Sequence, residues 1–231
     1  MADNSNNNSK IELTTLIFDL FTLVVAGVML FHFPLKADLA DGFTTPIIAF
    51  EFATTAADLD FLTGSADSAV SNRAMMDAGH QWDMLFPFAY GGFIALLIFK
   101  LIATDHKWLW PFLLMAGLII PFDINENLTL LAITDALAQG DDTGELLAAL
   151  HIATRLKLGA IALTVGGFAL GLLINKRYFG AIVSAAAALS IVQYWVFSSH
   201  AQLAELMSIL LSIFFIWFLV ESWLEWWRSR Q

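Results

Sequence analysis

Residues 108–131 read WLWPFLLMAGLIIPFDINENLTLL, and the fold turns on this stretch. Trp108 to Phe122 carries no charge, but at about 1.5 Å per residue it covers only about 22 Å. The hydrocarbon core of a bilayer is about 30 Å thick. A helix here crosses only by continuing through Asp123, Glu126 and Asn127 to about Leu131. Positions 123, 126 and 127 follow i, i+3, i+4 spacing and share one helical face. Pro121, just before them, removes a backbone donor and predicts a kink.

Working outward, five more apolar stretches are long enough to cross: 11–33, 83–103, 156–174, 179–198 and 206–223. Together they predict an all-α polytopic bundle of six membrane-spanning helices, a single transmembrane domain over 11–231 behind a disordered polar tail, 1–10. Only Asn175, Lys176 and Arg177 separate the fourth and fifth spans, which makes that pair antiparallel. Gly167 and Gly171 form a small-xxx-small pair on the fourth span, suited to close packing inside the bundle or to a homo-oligomer.

Two connections on the far side have structure of their own. Thr45-Pro46 resembles a cap followed by proline at the first helical position. The apolar residues from Ile47 to Leu62 predict an amphipathic helix in the first outer loop, lying on the bundle or the membrane surface. A re-entrant segment is the alternative. Gly64 ends it, and a further helix from about Ser68 runs toward the second span. In the 132–155 connection, Gln139-Gly140-Asp141 signals a turn, Asp142 with Glu145 has capping spacing, and the helix that follows, Glu145 to Arg155, continues into the fourth span.

Composition agrees with lipid exposure. The 231 residues are 58% hydrophobic and 14% charged, against about 25% charged in soluble domains, and the mean hydropathy is +0.71. Twenty Phe against three Tyr suits side chains that face hydrocarbon, because Phe needs no hydrogen-bond partner. A net charge of −10 argues against nucleic acid as a partner. Without cysteine there is no disulfide, thiolate metal site or cysteine nucleophile. Lys10, Lys100, Lys107, Lys176, Arg177, Arg228 and Arg230 fall on the side of the termini, while Lys36, Arg73, Arg155 and Lys157 fall opposite. By the positive-inside rule both termini are cytoplasmic.

Charge inside a bilayer marks candidate function. Asp123, Glu126 and Asn127 can bind a ligand, share a proton or pair with a base, for which Arg155 is nearest by topology. His80, Asp83 and Tyr90 cluster at the head of the second span, where Asp83 can orient the His80 ring. His32, His80, His151 and His200 all fall at the outer ends of spans. His80, Asp83, His151, His200 and Glu126 are therefore the candidate ligands of a divalent metal or haem, although no metal-binding motif is contiguous in the sequence. Glu51 is the unexpected acid of the outer apolar segment. Asp19 lies about 12 Å into the first span and needs a partner; Thr15 and Thr22 are within reach on its own helix.

The segments Asp83-Met-Leu-Phe-Pro-Phe-Ala-Tyr-Gly, Asp123-Ile-Asn-Glu-Asn-Leu and Ile48-Ala-Phe-Glu-Phe-Ala resemble a group of uncharacterised bacterial multi-pass membrane proteins. The resemblance covers about residues 46–131. It implies that Glu51, Asp83, Tyr90, Asp123, Glu126 and Asn127 form one site, and it implies no activity. The leading expectation is a non-enzymatic subunit or a binding protein for a small ligand, lipid or ion in an outer-facing polar cavity. A metal-dependent membrane hydrolase and a small transporter or haem-binding electron-transfer subunit are the alternatives. Membrane lipids are the expected partners, with bound lipid in the cavity.

Overall fold

The computed structural model describes residues 2–40, 42–104, 106–197 and 201–228. Within them the chain is all-α: α1 (Ala2–His32), α2 (Pro46–Glu51), α3 (Asp67–Asp83), α4 (Phe86–Ala103), α5 (Trp110–Gln139), α6 (Gly144–Ile174), α7 (Tyr178–Val196) and α8 (Ala201–Arg228), with 3₁₀ turns at Ala56–Leu62 and Lys107–Leu109. Six stretches are long and apolar enough to cross a membrane: Lys10–His32, Asp67–Ala103, Lys107–Gln139, Gly144–Ile174, Tyr178–Val196 and Ala201–Arg228.

These helices close into a ring. Each of α1, α4, α5, α6, α7 and α8 packs on the next, and α8 returns to α1. With six crossings both chain ends reach one side, called the terminal face here; the opposite side carries α2 and the 56–62 turn and is called the loop face. Lateral order follows sequence order because short connections favour neighbours.

The third span runs further than expected. The third span does carry Asp123 and Glu126 into the bundle, and it then runs on to Gln139 through Pro121 without ending. Its fourth-span partner begins at Gly144, in line with a helix from Glu145 that runs on into the fourth span, so only residues 140–143 of the 132–155 connection are outside α5 and α6. Gly140 closes α5 in the left-handed region, at φ 77°, where glycine carries no Cβ penalty. Asp142 Oδ1 accepts from the Gly144 amide at 3.1 Å, and the 3.6-residue period then continues unbroken to Ile174.

The first loop-face connection differs more. A single amphipathic helix over Ile47–Leu62 is replaced by the six-residue α2, a break at Phe52–Thr55, and the 3₁₀ turn. Pro46 does stand at the first helical position, but Thr45 makes no side-chain cap. Its hydroxyl and amide instead donate to Glu205 of α8, each at 2.8 Å, as does the Thr44 amide. Phe50, Leu59 and Leu62 are fully buried. The segment is therefore seated in the loop-face end of the ring, not laid along its outside.

Asp58 fixes the break. Its Oδ2 accepts from the amides and hydroxyls of Thr54 and Thr55 at 2.8–3.1 Å. Burial pushes this carboxyl up, but the four donors outweigh it and hold the group below its ordinary value. A depressed carboxylate adds stability above its unfolded value and loses it as pH falls through the folded one. Asp58→Ala should therefore cost about 1 kcal/mol at pH 7, and the difference from wild type should shrink at an acid pH below the ordinary carboxylate range, where Asp58 takes up its proton. Thermal unfolding at the two pH values checks both statements.

Glycines set the close approaches inside the ring. Gly92 faces the Phe18 ring of α1, Gly167 faces the Phe112 ring of α5, and Gly171 faces Leu101 and Leu109. The Gly167/Gly171 pair thus receives side chains of the same chain.

Candidate functional site

The polar residues of the middle spans meet inside the ring. Asp123 and Lys157 each lie thirteen residues from the start of α5 and α6, about 20 Å along helices roughly 45 Å long. They enter from opposite faces and meet near mid-height. Lys157 Nζ contacts the Glu126 carboxylate and lies 3.8 Å from Glu51 and 3.9 Å from Asp123. Tyr90 Oη donates to Asp123 Oδ2 at 2.5 Å. Glu126 and Asn127 are fully buried, and Asp83, Tyr90 and Asp123 are nearly so. Burial pushes the Glu51 carboxyl up; Lys157 pulls it back and Asp123 adds to the rise.

A half-open cavity of about 220 Å³ adjoins this cluster, and Glu51, Asp83, Tyr90, Asp123 and Lys157 line it. The remaining walls are mostly apolar, from Phe52, Phe86, Leu158, Ile161, Met207 and Phe215. Ser208 and Ser212 of α8 also reach it, but their hydroxyls donate to Ala204 and Ser208 carbonyls of their own helix. Ser212 is exposed on the flank of the ring, so the cavity opens sideways past α8.

Of the sequence candidates, Glu51, Asp83, Tyr90, Asp123 and Glu126 are brought together. The cation among them is Lys157. Arg155, expected to fill this role, is exposed; two residues away on a helix is about 200° around it, so Arg155 points out where Lys157 points in. Lys157 therefore does not belong with the loop-face bases. Its signal was periodicity: it shares a stripe with buried Leu150, Ala153, Thr154 and Ile161, at helical spacing.

Other expectations separate from the site. His80 is fully buried between the rings of Phe33 and Phe50, at 5.1 and 5.5 Å. Its Nδ1 is 2.8 Å from the Met76 carbonyl and its Nε2 has no protein partner. Asp83 therefore does not orient His80. His32 pairs with the Val28 carbonyl, and His151 lines a loop-face pocket with Thr54, Thr55 and Asp142. His200 lies outside the described residues. Among the described residues no group of three His, Asp or Glu side chains is placed to hold a metal ion.

Asp19 is also in the interior, 2% exposed. Thr15 and Thr22 donate to the carbonyls of Ile11 and Phe18, leaving Asp19 Oδ2 without a protein partner. The charge that reaches it is Lys100. Lys100 pairs with Glu225 at 2.8 Å, and Arg177 bridges Glu221 and Glu225 at 2.5 and 2.8 Å. This network ties α4, the α6–α7 turn and α8 at the terminal face. Between it and the cavity lies a buried layer of Phe93, Phe168, Phe214 and Phe218, with Phe168–Phe218 and Phe214–Phe218 ring centres 5.0 and 4.9 Å apart.

The arrangement provides a charged floor, an apolar wall and an opening on the flank. The chain matches no protein-family model, no curated protein and no solved structure.

Proposed function

We propose that this chain is a non-enzymatic binding protein of a bacterial inner membrane, holding a small amphiphile in its central cavity. The observation that carries the reading is the cavity's polarity: its buried end is charged and its open end is apolar and faces the flank of the ring. Ligand sites are commonly apolar clefts with a few convergent polar groups. About 220 Å³ accommodates on the order of ten non-hydrogen atoms, taking a water's share as about 30 Å³. Such a ligand keeps its head at the floor and leaves any longer chain among the lipids.

The orientation belongs to the same proposal. With Lys157 removed from the loop face, the base count favours the terminal face more strongly, so that face is cytoplasmic. The cavity's plugged end, under α2, is then toward the outside.

Blocking the flank tests the reading. Ser212 is exposed and its hydroxyl bonds only its own helix, so Ser212→Trp should leave the fold intact and fill the opening. Native mass spectrometry of protein released from lipid nanodiscs should detect an amphiphile on the wild type and at least a tenfold lower occupancy on the variant. Equal occupancy in both would place any bound molecule elsewhere on the surface and end the proposal.

A further inference from the structure

We infer that the cavity selects a cationic head, an organic ammonium, with Asp83 as its counter-charge; this rests on the cavity being a binding site. Glu51, Asp123 and Glu126 all lie within 4 Å of Lys157 Nζ, so three carboxylates already share one ammonium. Asp83 is a fourth. It lines the same cavity, is 5% exposed, and makes neither a hydrogen bond nor an ion pair with any of the described residues. The formal balance is four carboxylates against one cation, in surroundings that disfavour unmatched charge.

The same geometry argues against an anion. Lys157 is the cation lining the cavity, and its ammonium is already engaged by acids. An arriving carboxylate or phosphate would find no free partner and would meet Asp83. A bare metal ion requires several converging oxygen ligands, and no group of three His or carboxylate residues is placed to supply them among the described residues. An ammonium carrying alkyl groups has less strict needs: one carboxylate and a low-polarity shell.

The shell is aromatic. Phe86 and Tyr90 ring centres are 4.9 Å apart, and Tyr90 and Phe215 are 5.8 Å apart with their planes nearly perpendicular. All three rings border the cavity with Asp83. Ring faces attract cations, and quaternary ammonium groups are recognised by such clusters. Tyr90 Oη is committed to Asp123, which fixes the ring's orientation.

The test compares benzyltrimethylammonium with neopentylbenzene, the neutral molecule in which carbon replaces nitrogen, each titrated into wild type in nanodiscs by ligand-observed NMR. Empty nanodiscs correct for partition into lipid. The cation should bind at least tenfold more tightly, and Asp83→Asn should remove most of that preference while retaining neopentylbenzene. Equal affinity of both probes for the wild type would overturn the cation assignment and leave the cavity reading standing. Binding of neither above the nanodisc background would overturn both. The wild-type comparison alone decides the matter if Asp83→Asn does not fold.

Discussion

Lys157→Met should destabilise the protein by about 3–5 kcal/mol, the cost of removing one partner from a buried ion pair. Glu126 is 0% exposed and Lys157 is its ion-pair partner, so the single variant leaves that carboxylate stranded between α5 and α6. The double variant Lys157→Met/Glu126→Leu should recover much of the loss, because apolar replacement of a whole buried pair is often neutral or favourable. Glu51 and Asp123 limit the recovery, since they also face the ammonium. Unfolding in mixed micelles measures the set. A single variant as stable as the wild type would mean that water reaches Glu126 freely.

Gly167→Leu is the second large expectation. A Cβ at position 167 would lie 2.3 Å from the Phe112 ring, and the remaining side chain has to pass that ring as well. The α5–α6 interface would have to open along its length, or Phe112 would have to leave it. Overpacking of this kind costs about 1–3 kcal/mol, and sometimes more. Pairing it with Phe112→Ala should restore part of the loss, as the two volumes partly offset. Gly117→Leu offers the contrast: no atom lies within 4 Å of its Cβ position, so the unfolding midpoint should barely move. Equal effects at 117 and 167 would contradict the packing described.

The spans could be read from the sequence because length and apolarity state them directly. Trp108–Leu131 required its acids to enter the bundle, and Asp123, Glu126 and Asn127 do lie inside it on one face of α5. Glu51, Asp83 and Tyr90 were visible as polar groups in apolar stretches, and such groups are costly without a reason. Lys157 reads as a loop-face base when the span is taken from its apolar run alone; the helix phase carried down from Gly144 turns it inward. The break at Phe52–Thr55 was also invisible, since Thr54 and Thr55 at 54–55 suit a helix surface as well as a turn. What ends α2 is the convergence of four donors on Asp58, a local arrangement that spacing alone does not separate from a continued helix. The approach of Glu205 to Thr44 and Thr45 joins segments 160 residues apart, and no local pattern announces it.

The four-residue turn at 140–143 bears on how the chain is made. On insertion scales a charged residue at the centre of a helix costs about 2.5–3.5 kcal/mol, so α5 alone brings Asp123 and Glu126 to the translocon as a poor candidate for release into lipid. Lys157 arrives next, on α6, and contacts Glu126. The helical hairpin 110–174, not either helix, is the smallest piece of this chain that can leave water with its buried ammonium matched. Glu51 is synthesised long before its partner, and its place in the bundle does not exist until α6 and α8 have emerged. The first loop-face segment is thus the earliest of the site to be translated and among the last to settle.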